Sequence, residues 1–301
     1  MSKPFDSTAR ASRAESKVSD QRSKRRVADI LSYLLLGTLS IIWVSPIVWI
    51  VANSFNKNTA PYSATFFPTE YTFDNYIALF TERTVLDFPR MFMNTLIIAI
   101  CTMFISVFFV LIVSFSLSRM RFRFRKVYMN MALTLGMFPG IMAVVAIYFI
   151  LKAMGLTGGS WTNVALIIVY SAGSGMGFYI MKGYMDTIPK SLDEAAYLDG
   201  CSRWQVFYMV ILPIAKPMIV YQAIIGFLTP WLDFVLAKAI ARTQDNYTVA
   251  LGLWKMLEKE YIHDWFARFA AGAVCVSIPI VILFIIMQRY YQESMAGSVK
   301  G

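Results

Sequence analysis

From Phe92 to Leu117 the chain carries no Asp, Glu, Lys or Arg, and five further runs share this character apart from a single Lys216: Ile30–Val51, Val127–Leu151, Val164–Met181, Pro213–Trp231 and Phe269–Met287. A hydrocarbon core about 30 Å thick takes roughly 20 apolar residues of helix to cross. No water is available there, so backbone groups must be paired within the segment or around a closed barrel. The runs lack the alternation of barrel strands. The expected fold class is therefore all-α, a polytopic membrane protein with six transmembrane helices. Hydrophobic residues make up 57% of the chain and charged ones 15%, against about 25% charged in soluble domains. That excludes a soluble enzyme, a disordered chain and a disulfide-stapled module. Two of the three cysteines, Cys101 and Cys275, lie inside apolar runs, which is no disulfide framework.

The net charge of +10 is unevenly placed. If the amino terminus lies inside, the inner segments hold 19 of the 28 Lys and Arg but nine acidic residues, and the outer segments hold nine of each sign. Basic loops stay on the cytoplasmic side, so both termini are expected inside. The run Arg119-Met-Arg-Phe-Arg-Phe-Arg125-Lys126 is the sharpest part of this signal. It reads as a topology element with some lipid-headgroup contact rather than a nucleic-acid site. The expected layout is a disordered cytoplasmic tail over 1–27, a membrane domain over 28–289 and a cytoplasmic tail over 290–301. The long outer loops fall at 54–89 and 232–265, the large inner loop at 186–213.

Intramembrane charges mark ion and proton pathways. The second to fourth spans have none at their centres, and the one histidine, His263, lies in an outer loop. Neither a proton-coupled carrier nor an intramembrane enzyme finds its constellation here; no catalytic residue and no metal ligand set is expected. No glycine-rich loop ends in Gly-Lys-Ser or Gly-Lys-Thr. Gly173-Ser-Gly175-Met-Gly177 sits in an apolar span and reads as a packing or kink element. If transport is active, another polypeptide supplies the energy.

In the inner loop Pro189 breaks the chain entry, and Ser191 with Glu194 spells a capping box. Leu192, Ala195, Ala196 and Leu198 give a short helix that Gly200 can stop. Ser202 with Gln205 spells a second box, and Val206, Phe207 and Ile211 continue a second helix. Two short capped helices form a knob, suited to docking into a cleft on a soluble partner or to packing on its own bundle.

The residues of this knob carry a resemblance. Glu194-Ala195-Ala196, Asp199-Gly200 and Ile211-Leu212-Pro213 resemble the "EAA" loop of ATP-binding-cassette importer permeases. Met137-Phe138-Pro139, Lys182-Gly183-Tyr184, Tyr247-Thr248-Val249-Ala250 and Gly297-Ser298-Val299-Lys300-Gly301 look like the carbohydrate branch of that family, of the maltose/maltodextrin type. The resemblance runs from the first span onward.

It implies a type I importer permease fold in a bacterial inner or plasma membrane. The implied partners are a second, different permease subunit, two ATPase subunits, an extracellular sugar-binding protein, membrane lipid and an oligosaccharide, with no nucleic acid. ATP and magnesium would sit on the ATPase, and this chain would carry no cofactor. By carry-over, Glu194, Ala195, Ala196, Asp199, Gly200, Leu212 and Pro213 couple to the ATPase, and Gly297, Ser298, Val299, Lys300 and Gly301 reach between its subunits. Pro139, Gly173 and Gly177 belong to a gate. Asn246, Tyr247, Thr248 and Trp254 meet the binding protein. Tyr170, Ser171, Tyr179, Tyr221 and Gln222 are the polar and aromatic candidates for the sugar path. Maltodextrin is the expected cargo, with raffinose-type sugars, trehalose and glycerol phosphate as alternatives.

Overall fold

The computed structural model describes residues 7–59, 65–173 and 175–298. Its helices are α1 (Ser7–Ser54), α2 (Asp74–Thr81), α3 (Phe88–Arg119), α4 (Arg125–Gly136), α5 (Gly140–Ala153), α6 (Thr162–Ala172) and α7 (Gly175–Thr187). They continue as α8 (Lys190–Leu198), α9 (Arg203–Ile214), α10 (Lys216–Leu232), α11 (Val235–Ile240), α12 (Val249–Met256) and α13 (Ile262–Ser298). The only strand-like feature among the described residues is an isolated antiparallel bridge between Asn56 and Tyr71.

Four segments are long and apolar enough to cross a membrane: Ala28–Ser54, Phe88–Arg119, Thr162–Thr187 and Ile262–Gln288. Two more arise if each broken pair counts as one span, α4 with α5 bent by 103° and α9 with α10 bent by 79°. On that count there are six spans, as expected, and the third and fifth are not straight. At the first break, Pro139 is extended (φ −58°, ψ 123°) between Gly136 and Gly140; a proline supplies no amide to continue the ladder, and the residue before it resists helix. At the second, Ala215 leaves the helical region (ψ 2°) two residues before Pro217.

Helix also extends back to Ser7, where the sequence predicts a disordered tail. Ser7–Val27 contains neither Pro nor Gly, so no residue there breaks a helical backbone. At the other end α13 runs to Ser298; Gly297 and Ser298 are its last residues, and Val299, Lys300 and Gly301 lie outside the described residues.

α3 is the mast of the bundle. Asp87 accepts a hydrogen bond from the Arg90 amide at 3.2 Å and starts it. Its residues enter all three large apolar clusters. Phe88, Met91 and Ala99 pack with Trp231, Val249 and Trp265. Ile98 packs with Leu151, Leu166 and Ile240. Val110, Leu111, Phe115 and Leu117 pack with Met181, Met185 and Ile211. Between these clusters runs a buried stripe of small side chains at helical spacing: Thr95, Thr102, Ser106, Ser114 and Ser118. Small residues let apolar helices approach closely. At Gly226 of α10 an added Cβ would stand 2.6 Å from Ser106 Oγ and 3.1 Å from Met103 Cα, so the two backbones touch there.

Candidate functional site

The knob is built at the Arg119 end of α3. Pro189 occupies the N-cap position of α8 and Ser191 is already inside the helix, with no side-chain cap. The first predicted capping box is thus not formed, because Pro189, with its fixed φ, takes the N-cap position two residues before Ser191. The second is formed: Ser202 Oγ accepts from the Gln205 amide and Gln205 Oε1 from the Ser202 amide, at 3.4 and 2.7 Å. Between the two helices Asp199 is the C-cap of α8, and Gly200 takes φ +84°. The Cys201 amide donates to Ala196 O at 2.9 Å. This helix end needs a residue without a Cβ penalty in the left-handed region.

The helix after the cap holds a π segment over Val206–Ile211. Its bonds run to the fifth residue, so Val206 and Ile211, five apart, both bury completely. Phe207 packs against Phe115 of α3 with tilted rings, centroids 4.9 Å apart. Ala196 and Leu212 join the same cluster. The opposite side is uncovered: Leu198 is 89% exposed, Trp204, Met209, Tyr208 and Tyr197 are exposed too, and Glu194, Ala195 and Pro213 lie open beside them.

Charges join the knob to the mast. Arg119 Nε lies 2.7 Å from Asp193 Oδ2, and both side chains are under a tenth exposed. Arg119 Nη2 donates to Ile188 O at 3.0 Å. The contact is an ion pair rather than an aligned hydrogen bond, and Arg119 Nη1 and Asp193 Oδ1 have no partner among the described residues. Burial pushes the Asp193 carboxyl above its usual range; Arg119 opposes this, and Glu194 adds to it. Next to this pair Asp186 accepts from Ser118 Oγ at 2.6 Å and from Lys182. Arg119 is therefore set apart from Arg121, Arg123 and Lys126, which stay exposed.

The expected gate and sugar-path residues only partly converge. A cavity of about 830 Å³ opens between the broken spans, and Tyr170, Gln222 and Gly173 line it. Gly177 lies against Gln222, whose Oε1 an added Cβ would meet at 2.4 Å. Pro139 breaks the wall between its lining residues Phe138 and Gly140. Ser171 lines a smaller neighbouring pocket, and Tyr179 packs toward the knob cluster. Tyr221 is half-buried on α10 and lines neither space. Asp233, Thr229 and Ser106, which sequence reasoning passed over, do line the larger cavity. Asp233 Oδ2 accepts from Tyr170 Oη at 2.8 Å and from the Ala237 amide at 3.0 Å. The signal was an acid directly after an apolar run.

The 232–265 segment lies at the other end of α3 and is tied down. Asn246 donates to Gly159 O at 3.0 Å, and Asn94 donates to Tyr247 O at 3.3 Å. Thr248 is fully buried. Of the four expected contact residues only Trp254 is exposed, its ring tilted against Phe234 with centroids 5.0 Å apart.

Residues 110–296 match the family described as binding-protein-dependent transport system inner membrane component. The chain is 35% identical to the galactooligosaccharides transport system permease protein GanQ of Bacillus subtilis (strain 168), over 94% of this chain and 100% of that protein. It is 32% identical to the maltodextrin transport system permease protein MdxG of the same organism, over 92% and 98%. A bacterial ABC transporter involved in the import of the acidic polysaccharide alginate shares the fold, with a TM-score of 0.74 at 21% identity, over 89% of this chain and 98% of that one. The chain is a member of the binding-protein-dependent transport system inner membrane component family.

Proposed function

We propose that the chain is one of two different permease subunits of an ATP-driven oligosaccharide importer, with maltodextrin as cargo. It works with two ATPase subunits, which hold the ATP and magnesium, and with an extracellular sugar-binding protein. The chain itself does no chemistry. It sits in a bacterial cell membrane with both termini and the knob on the cytoplasmic side, as the charge placement favours. The observation that carries this reading is the uncovered apolar face of a knob whose other face is locked into the bundle. Exposed patches of this kind mark interaction sites. Glu194 supplies a carboxylate at its edge for a basic residue of the ATPase, and Gly200 holds the turn.

On ATP-driven closure the knob moves with α3, and the broken third and fifth spans rock the cavity between two openings. The C-terminal residues Gly297–Gly301 contact the ATPase pair. Trp254, with Asn246, Tyr247 and Thr248 beneath it, meets the binding protein. The higher identity to GanQ favours galactooligosaccharide as a second reading for the cargo.

The test is ATP hydrolysis by the reconstituted complex with binding protein loaded with maltotriose or with a galactooligosaccharide. Stimulation by maltotriose alone supports the first cargo, and stimulation by the galactooligosaccharide alone replaces it. Glu194→Lys is expected to abolish co-purification of the ATPase while leaving membrane insertion unchanged. Normal co-purification and uptake in that variant would refute the docking role.

A further inference from the structure

The cavity between the broken spans has an uneven chemistry. Most of its wall is apolar, and its polar groups are Ser106, Tyr170, Gln222, Thr229 and Asp233. No Lys, Arg or His lines it. Tyr170 and the α11 backbone both hold Asp233 through Oδ2. Its Oδ1 takes no hydrogen bond from the described residues. The carboxylate is thus fixed in direction, with one oxygen left to accept.

We infer that Asp233 is a hydroxyl acceptor in the translocation path and restricts the cargo to uncharged oligosaccharides. This rests on the importer reading above. An ionised carboxylate only accepts hydrogen bonds, and a sugar hydroxyl donating to it makes a stronger bond than to a neutral group. Gln222 can both donate and accept, and the apolar wall suits the faces of sugar rings. A uronate brought into the same space meets a like charge with no cation in the lining. Two unit charges roughly 8 Å apart at an effective dielectric near 20 disfavour binding about 30-fold. The fold does not impose this choice, since the alginate importer shares it; the lining does.

The test uses the assembled complex in nanodiscs, with Cys101, Cys201 and Cys275 replaced by Ser and a reporter thiol at Thr229→Cys. Labelling by a maleimide is followed with maltotriose, with a trigalacturonate, or with neither. Maltotriose is expected to slow labelling and trigalacturonate to leave it unchanged. Asp233→Asn keeps an oxygen for Tyr170 and Ala237 but removes the charge. In that variant trigalacturonate is expected to protect as well as maltotriose does. Equal protection by both sugars with Asp233 intact would overturn the proposal, as would an Asn variant that still excludes the uronate. Should Thr229→Cys not assemble, Ala143→Cys, at an exposed lining position of α5, reports instead. If neither sugar protects while the same complex in proteoliposomes still imports maltotriose, the cavity assignment fails and the importer reading stands. If import is absent as well, both fail.

Discussion

At the Arg119–Asp193 contact two charges leave water together, with a hydrogen-bonding atom on each side unused. Such a pair adds little net stability, but removing one partner strands the other. Arg119→Met alone and Asp193→Leu alone are each expected to destabilise the knob by about 3–5 kcal/mol, and the double variant to recover most of it. Hydrogen exchange of the α8 amides reads the local opening; additive losses would show that the two do not act as a unit. The direction of the Asp193 shift gives a pH dependence. An acid raised above its unfolded value of about 3.9 binds its proton more readily in the folded chain. Its contribution to stability therefore falls as pH rises from that value through the raised one. Protection of α8 relative to Asp193→Asn should decline over that window, and a rising trend would contradict the assignment. Neither Arg119 nor Asp233 was legible as a special residue. Arg119 opens a run of five basic residues whose spacing hides that the first points inward. Asp233 is one acid among nine on the expected outer side; its place directly after an apolar run is a weak mark, and the Tyr170 hydroxyl that fixes it lies 63 positions away.

Elements were legible where the signal was local. The apolar runs, the Ser202–Gln205 box and the stop at Gly200 lie within a few residues of the structure they make. Which prolines break a span was not. Pro46, Pro230 and Pro279 sit inside uninterrupted helices, whereas helices end at Pro139 and just before Pro217. A spanning proline is tolerated when neighbours satisfy the freed carbonyls, and no single run of sequence states its neighbours. The α3–α10 contact is of the same kind. Gly226→Val is expected to cost about 1–3 kcal/mol by overpacking, since the Ser106 hydroxyl can turn away but the Met103 backbone cannot. The yield of monodisperse complex should fall, while Gly37→Val, with nothing within 4 Å of its added Cβ, should leave it unchanged. Equal yields would place slack in the contact that the geometry does not show.

For the whole molecule, the charge asymmetry makes a prediction independent of any partner. A phosphatase reporter, active only when exported, should be silent when fused after Arg123 and active when fused after Asp245, and the opposite pattern would invert the bundle. A different consequence follows from the position of α3. Some of its contacts, with α6 and α7, lie within a hundred residues; others, with α10, α12 and α13, wait for the last third of the chain. A ribosome releasing the chain in order must therefore leave the hydroxyl stripe of α3 half-covered in lipid until α10 arrives. Biogenesis of this subunit cannot proceed hairpin by hairpin. A chain truncated after α9 presents its central helix as unfinished surface, a feature that membrane quality control can recognise.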